Sequence, residues 1–208
     1  MLRILGKASS INVRKVLWTV DEIGLPYVRE DWGSGFKDTH THDYLKLNPN
    51  ALVPVIVDGD FVLWESNTII RYLATQYAPG TLLPHDPRPR AEIEKWMDWQ
   101  ATEFNASWRY AFQALVRENP DYTDKAALLA SIRDWTANIA IIAGQLDQTG
   151  GYIAGEQFTL ADIPIGLSIN RWFMTPIEKR TSYAAIDMYY QRLSLRPAFM
   201  AHGRNGIA

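Results

Sequence analysis

An acidic residue and a hydroxyl stand together where a helix is predicted to begin. Glu65 and Ser66 follow a β-rich run and precede apolar positions at helical spacing. The first backbone N–H groups of a helix have no intrahelical partner, and they favour negative charge. The pair could therefore hold the end of an amino acid, with Glu65 taking the ammonium and Ser66 and the helix N–H groups taking the carboxylate. A plain N-terminal helix cap is the alternative.

A turn rich in asparagine and proline precedes another β-rich run. The turn extends from Asn48 to Pro54. Because a proline cannot donate to a sheet ladder, Pro54 is expected at the first residue of a strand or at a sheet edge. If the Val53–Pro54 peptide bond were cis, the backbone N–H and C=O of Val53 would face a ligand instead of another strand. Only about 5–6% of such bonds are cis, so spacing alone does not favour that interpretation.

Four short strands and three helices are predicted to position these residues within 1–79. The strands are expected at 2–5, 27–32, 53–57 and 61–64, and the helices at 12–23, 43–47 and 66–77. The first two strands flank a helix and should pair in parallel, whereas the Asp58–Gly59 turn predicts an antiparallel hairpin at the edge. We therefore expect an α/β unit of order β-α-β-α-β-β-α.

Four prolines between residues 79 and 89 separate this unit from the rest of the chain. Such a stretch cannot continue a helix or a sheet, and it predicts a linker at 80–89. Beyond it, helical patterns cover 90–117, 123–146, 159–172 and 184–193, and a short turn follows residue 197. The spacing of Thr159 and Asp162 is typical of a capping box, which is a structural role.

The composition excludes several kinds of site. The chain has 208 residues, 47% of them hydrophobic, and a formal net charge of -2 with no basic run, which argues against a nucleic-acid partner. Without cysteine there is no disulfide, cysteine-ligated metal or cysteine nucleophile, and the four histidines lack metal-ligand spacing. The first residues do not resemble a signal peptide, and no apolar run approaches the roughly 20 residues of a membrane span. We therefore expect a cytoplasmic protein without a metal or a membrane partner.

The motifs in their order resemble the cytosolic glutathione transferases. The matching features are a Ser-Ser-x-Asn-x-Arg loop, an Asn-Pro-x-x-x-Val-Pro turn, a Glu-Ser helix start and a helical second half. The serine-containing bacterial, theta- or zeta-like branches are most similar, and the resemblance covers essentially the whole chain. It implies a thioredoxin-like α/β domain at 1–79, a linker at 80–89 and an all-α domain at 90–208 that contributes the electrophile site.

The resemblance also implies how glutathione, as co-substrate, would be held. Pro54 would be cis, and the backbone of Val53 would bind the cysteinyl part. Glu65 and Ser66 would hold the γ-glutamyl end, which agrees with the charge argument made above.

The loop before the first helix would act on the glutathione sulfur. By resemblance a side chain of this loop contacts the sulfur, and the candidates are Ser10, which can act with Asn12, Asn12 itself and Ser9, with the principal one among the three left open. Lowering a thiol pKa of about 8.5 by about two units takes about 2.7 kcal/mol of preferential thiolate stabilisation. One hydroxyl hydrogen bond and a helix N-terminus supply roughly that amount. From the residues alone, Ser10 could instead be a plain helix cap.

Two parts of the expected site are less well defined. Ala51 and Leu52 stand where many relatives carry a side chain for the glycyl carboxylate. The candidate substitutes are Lys37, His40 and His42. The candidate walls of the electrophile pocket are Trp108, Phe112 and Trp172. Core packing is the alternative role for each of these three aromatic residues.

These features predict a homodimeric transferase that directs the glutathione thiolate at a small apolar electrophile, as in detoxification. A glutathione-dependent isomerase or disulfide reductase using the same site is one alternative. It would need basic residues in the pocket for an acidic substrate, and the sequence suggests few. A non-catalytic glutathione-binding protein with the same fold is another alternative.

Overall fold

The first half of the chain is a four-stranded mixed sheet with helices. The structure, a computed structural model, describes residues 1–206. The elements of the first half are β1 (Leu2–Leu5), α1 (Ile11–Glu22), β2 (Tyr27–Glu30), α2 (His42–Leu47), β3 (Val55–Asp58), β4 (Phe61–Trp64) and α3 (Ser66–Tyr77). The strand order is β2-β1-β3-β4, with β1 and β2 parallel and the other pairs antiparallel. The predicted order of elements and the edge hairpin are confirmed.

Helix α1 lies between the sheet domain and the helical half of the chain. It packs on α3 within its own domain and on two helices of the second half. Every residue from 13 to 20 is buried, so the helix has no long solvent-facing stripe. Two cations, Arg14 and Lys15, are consequently held inside the molecule with only 5% and 4% of their surfaces exposed.

The connection between the halves is shorter than the predicted linker. The next helix begins at Pro87 and therefore includes both Pro87 and Pro89, which the sequence analysis assigned to the linker. Proline is favoured in a first helical turn because its missing N–H has no intrahelical acceptor there, and Asp86 caps the helix by accepting from the Arg88 backbone N–H at 2.9 Å. Leu82 in the connection is buried, and its carbonyl accepts from the Leu160 N–H at 2.9 Å.

The second half is helical throughout its regular elements. They are α4 (Pro87–Trp99), a π-helical segment (Gln100–Phe104), α5 (Asn105–Leu115), α6 (Lys125–Thr149), α7 (Asp162–Met174), α8 (Ala184–Ser194) and α9 (Pro197–His202). The long helical stretch predicted at 90–117 is thus one run interrupted by the π-helical segment. Such segments occur often at functional sites.

One hydrophobic core extends through both halves. It joins Trp18 of α1 to aromatic side chains of the helical half such as Phe199, whose ring centroid is 4.9 Å from that of Trp18. Among the helices of residues 1–206, α6 is long and apolar enough to cross a membrane by length and composition. Its buried residues, including Trp135 and Ile142, lie on one stripe, and it packs on α5 and α8.

Asp162 organises the start of α7. Its carboxylate accepts hydrogen bonds from the Thr159 N–H at 2.8 Å, the Ile153 N–H at 2.9 Å and the Tyr189 hydroxyl at 3.0 Å. The Thr159 hydroxyl donates to the same carboxylate at 3.2 Å instead of accepting from a backbone N–H. Only half of the predicted capping box is therefore formed, and Asp162 serves the fold.

Candidate active site

A cleft of about 340 Å³ opens between the two halves, beside the first turns of α1 and α3. Both halves contribute polar side chains to it. The cleft is lined by Asn12, Lys15, Glu65 and Ser66 from the first half and by Gln100 and Trp108 from the second, among other residues. The cleft therefore brings together three of the polar residues singled out from the sequence, Asn12, Glu65 and Ser66.

Glu65 immediately precedes α3 in a strained backbone conformation. Its φ is 73°, in the left-handed region that favours glycine, and its carboxylate remains exposed. Such a conformation costs about 1–3 kcal/mol and clusters at ligand sites. The plain cap, which was the alternative interpretation, is not formed: Ser66 is the first helical residue, and Glu65 occupies the N-cap position without a capping hydrogen bond from its side chain. Both side chains at the start of α3 are thus left for other contacts.

Ser66 links the starts of α1 and α3. It is buried, and its hydroxyl donates to Asn12 Oδ1 at 3.4 Å. Asn12 lies in the first turn of α1, so two helix N-termini face the same cleft. Their free N–H groups give this end of the cleft a positive potential that suits an anionic group.

The turn before β3 is held by one side chain of α2 and by the residue that follows this helix. The Val53–Pro54 peptide bond is cis. The Tyr44 hydroxyl and the Asn48 amide both donate to the Leu52 carbonyl at 2.8 Å. Because Tyr44 and Asn48 are buried, these hydrogen bonds fix the position of the residues before Pro54.

Gly6 allows the loop after β1 to approach this turn. A Cβ at Gly6 would lie 3.2 Å from the Val53 Cβ and 2.5 Å from Val13 Cγ2. A side chain at this position would push the loop away from Val53. The segment 7–10 is therefore kept close to the turn before Pro54.

Lys15 is the residue of the cleft that sequence reasoning missed. Its Nζ donates to Asn67 Oδ1 at 3.1 Å, to Gln100 Oε1 at 3.3 Å and to Ser66 Oγ at 3.5 Å. Burial lowers the pKa of Lys15 to about 8, although the Glu65 carboxylate opposes the shift. The sequence gives no local signal for this role, because the burial of Lys15 depends on how α1 packs against both halves of the chain.

Comparison with known proteins agrees with this arrangement. Residues 9–76 match the family model described as the glutathione S-transferase N-terminal domain, and residues 106–197 match the C-terminal domain of the same family. Glutathione S-transferase GstB of Escherichia coli is 38% identical over 200 residues, which are 95% of this chain and 95% of that protein. This chain belongs to the glutathione S-transferase family.

Solved structures extend the similarity to the whole fold of this glutathione S-transferase. The theta class glutathione S-transferase from Xanthomonas axonopodis pv. citri, crystallised with glutathione bound, is 38% identical and superimposes with a TM-score of 0.92. The alignment covers 100% of this chain and 99% of that one. A delta-class glutathione transferase from Nilaparvata lugens, 25% identical, gives a TM-score of 0.86 over 99% of this chain and 94% of the other.

Ser10 occupies the N-cap position of α1 in this transferase. Its backbone carbonyl accepts from the Arg14 N–H at 2.9 Å, but its hydroxyl makes no capping hydrogen bond. The plain cap that the residues alone allowed is therefore not formed by the side chain. Ser9 is exposed in the preceding loop, and Arg14 Nε donates to the Ala8 carbonyl at 3.0 Å, which ties that loop to α1.

The candidates for the glycyl carboxylate lie outside the cleft. Lys37 is exposed, pairs with Glu30 at 3.3 Å and lies 5.1 Å from the centroid of the Trp32 ring. His40 and His42 are exposed on the same surface segment. The structure does not bring any of these three side chains to Glu65 and Ser66. No group of three His, Asp or Glu side chains that could hold a metal occurs among residues 1–206.

One of the three aromatic candidates lines the cleft, a second packs against it, and the third lies elsewhere. Trp108 lines it, and the Phe112 ring packs edge-on against Trp108 with 5.7 Å between centroids. The Arg171 guanidinium stacks over both rings, at 4.3 Å and 4.0 Å from their centroids. Trp172 instead packs against Trp135 and lines a separate cavity of about 190 Å³, because α7 turns this side chain toward the helical core.

Proposed function

We propose that this enzyme is a glutathione transferase that binds glutathione in the cleft and directs its thiolate at a small apolar electrophile. The observation that carries the proposal is the exposed Glu65 carboxylate beside the buried Ser66, at the start of a helix. A carboxylate next to free helix N–H groups complements an ammonium and a carboxylate borne on one carbon. That group is the γ-glutamyl end of glutathione.

The sulfur is assigned to the N-terminus of α1. The Ser10 hydroxyl is not used as a cap, so it is available to donate to a thiolate, and Asn12 stands two residues further along. Ser9 is the alternative donor. A hydrogen bond to a charged group contributes about 1.5–3 kcal/mol, which together with the helix end is enough to keep most of the bound thiol ionised at neutral pH.

The remainder of glutathione extends from α1 toward the turn at Pro54. We assign the cysteinyl backbone to the N–H and C=O of Val53. The glycyl carboxylate is assigned to the exposed segment that carries Lys37 and His40. Either side chain would have to leave its present position in order to bind it, and Lys37 would give up its pair with Glu30.

The electrophile is assigned to the helical side of the cleft, against Trp108 and Phe112. The thiolate attacks the electrophilic carbon and a carbon–sulfur bond forms. With a halide the leaving group departs with the bonding electrons, and with an activated alkene the π bond breaks and the adjacent carbon takes up a proton from water. No covalent bond to the protein is needed, because orientation and stabilisation of the thiolate supply the catalysis. Trp172 would act on this pocket only through its packing in the core.

We also propose that the enzyme is a cytoplasmic homodimer that serves detoxification. An apolar groove formed by Trp96, Trp99 and the half-exposed Ile141 lies on the outer faces of α4 and α6 and is suited to a second copy of the chain. Sedimentation at micromolar concentration is expected to give twice the 23.7 kDa mass of one chain. A monomer would contradict this part of the proposal.

Two measurements test the transferase assignment. The ultraviolet difference spectrum of bound glutathione should reveal a thiolate well below about pH 8.5, the ordinary thiol pKa. A panel of aryl halides and activated alkenes should yield glutathione conjugates detected by mass spectrometry. Binding without thiolate formation and without conjugates would indicate a glutathione-binding protein instead of a transferase.

A further inference from the structure

Lys15 places a positive charge in the floor of the cleft. The residue is more than nine-tenths buried, yet it lines the same cleft as Glu65 and Ser66. All three acceptors of its ammonium are neutral oxygens, namely Asn67 Oδ1, Gln100 Oε1 and Ser66 Oγ. The contact with Ser66 is the longest at 3.5 Å, so this side of the ammonium is the least satisfied.

No ion pair balances this charge within residues 1–206. Glu65 attracts the ammonium through space but does not contact it, and the other charges that influence it, Arg171 and Arg71, are cations. A buried charge without a counter-charge is costly, and an opposite charge on a ligand would offset part of that cost. With a pKa of about 8, the ammonium remains mostly protonated at neutral pH.

We propose that the Lys15 ammonium binds the α-carboxylate of the γ-glutamyl end of glutathione, and so selects ligands that carry this carboxylate. The inference rests on the proposed function, because it adds a residue to the glutathione site. The carboxylate and the ammonium of this end are attached to one carbon, so their receptors must lie close together. Glu65 and Lys15 line the same cleft as Ser66, and the Ser66 hydroxyl lies between Lys15 Nζ and Asn12 Oδ1.

The two charges then orient the ligand. Glu65 is the receptor for the ammonium and Lys15 is the receptor for the carboxylate, with Ser66 and the α3 N-terminus adding hydrogen bonds. Reversing the two groups would place like charges together at both positions. A carboxylate oxygen that replaces the long contact between Lys15 and Ser66 also gives the buried ammonium a charged partner.

The experiment compares two ligands by calorimetry. The first is S-methylglutathione, and the second is the S-methyl form of 4-aminobutanoyl-Cys-Gly, which keeps the ammonium but lacks the α-carboxylate. The methylated sulfur removes thiol ionisation from both. The wild-type enzyme should bind the first about 10- to 150-fold more tightly, the range expected for a charge-assisted hydrogen bond. Lys15→Met should lose most of this preference by weakening S-methylglutathione alone.

The controls separate binding from structure. Lys46→Met removes an exposed lysine of α2 and should leave the preference unchanged. Lys15→Arg keeps the charge and should retain a preference for the carboxylate, and thermal melts verify that each variant is folded. If Lys15→Met does not fold, Lys15→Gln replaces it, because it keeps a donor but removes the charge, and it should likewise lose most of the preference. Equal affinity of the wild-type enzyme for the two ligands also overturns the inference.

The outcomes distinguish this inference from the proposed function. Equal weakening of both ligands by Lys15→Met would mean that Lys15 only supports the fold of the cleft, and the inference would be wrong. Binding of both ligands by the wild-type enzyme without discrimination overturns the inference and leaves the transferase assignment intact. Failure of the wild-type enzyme to bind either ligand overturns the proposed function, and this inference with it.

Discussion

Lys15 and Gln100 meet across the junction of the two domains, with 3.3 Å between Lys15 Nζ and Gln100 Oε1. Gln100 begins the π-helical segment, and its amide donates to Ser168 Oγ at 2.9 Å. The Ser168 hydroxyl in turn donates to the Pro164 carbonyl within α7. A chain of buried polar contacts thus connects the floor of the cleft to the interior of the helical domain.

Gln100→Leu is expected to destabilise the protein by about 1–3 kcal/mol, the cost of leaving a buried donor without its acceptor. Urea unfolding at neutral pH measures the effect. Burial lowers the pKa of Lys15 in the folded state to about 8, from an ordinary value of 10.5. The desolvation cost of the charged ammonium is therefore fully present below about pH 8. The difference in the free energy of unfolding between variant and wild type should therefore decrease as the pH rises through this range and Lys15 loses its proton.

Thr102→Ala is the matched control for that measurement. Thr102 belongs to the same π-helical segment, but it is exposed and its hydroxyl donates only to the Asp98 carbonyl. The free energy of unfolding should change little. A loss as large as that of Gln100→Leu would mean that the π-helical segment, and not the contact with Lys15, determines the effect.

Glu65→Gln should weaken glutathione binding about 10- to 150-fold, which corresponds to about 1.5–3 kcal/mol for one charge-assisted hydrogen bond. The amide keeps the size of the side chain but cannot neutralise the ligand ammonium. Calorimetry measures the affinity. Asp60→Asn, which removes an exposed carboxylate at the β3–β4 turn, should bind normally. Unchanged affinity in Glu65→Gln would remove the γ-glutamyl assignment.

Local sequence patterns predicted most of the helices and strands, because apolar spacing and turn residues depend on interactions between residues that are close in the chain. The structure differs from the prediction where tertiary contacts intervene. β3 begins at Val55 and not at residue 53, since Tyr44 and Asn48 hold the preceding carbonyl in a turn. The last three residues of the predicted linker belong to α4, since proline is as suitable for a first helical turn as for a linker.

The parts of the site that lie in one contiguous motif could be predicted from the sequence. The parts that are assembled from distant segments could not. Glu65 and Ser66 are adjacent in the chain, so their chemistry could be inferred from charge and helix position. Lys15 and Gln100 are 85 residues apart, and their contact depends on how α1 packs against the helical domain. The direction of Trp172 likewise depends on the packing of α7, which no local pattern defines.

Asp162 should make stability depend on pH in the mildly acidic range. The carboxylate is fully buried, and desolvation raises its pKa from 3.8 to about 6 despite its hydrogen bonds. The folded state therefore binds a proton more tightly than the unfolded state. The associated stability is fully present below the unfolded pKa and is lost as the pH rises through about 6.

Asp162→Asn isolates this contribution. The variant is expected to be less stable overall, because the NH₂ group of its amide faces N–H and O–H donors that now donate to the carboxylate. When the pH is raised from about 5 to about 7.5, however, the free energy of unfolding of the wild type should decrease by about 1–2 kcal/mol relative to that of the variant. Urea unfolding of both proteins at the two pH values gives the result. A constant difference would show that Asp162 does not titrate in this range.

Ser10→Ala should raise the pKa of the bound glutathione thiol while leaving glutathione affinity nearly intact. The Ser10 hydroxyl would interact with the ionised sulfur, so its loss should affect rate more than binding. A hydrogen bond worth about 1.5–3 kcal/mol corresponds to a roughly 10- to 150-fold decrease in a thiolate-limited rate. Ultraviolet absorbance of the bound thiolate against pH measures the shift.

Companion variants decide which side chain donates to the sulfur. Asn12→Ala should give the same signature if both residues act on the thiolate, and the double variant should then be less than additive, since neighbouring groups that share one partner are coupled. Ser9→Ala is the control, because Ser9 is exposed in the loop before the helix. A titration shifted by Ser9→Ala but not by Ser10→Ala would assign the sulfur contact to Ser9. If none of the three variants shifts the titration, the α1 N-terminus alone stabilises the thiolate, or the protein only binds glutathione, and the absence of conjugates would identify the latter.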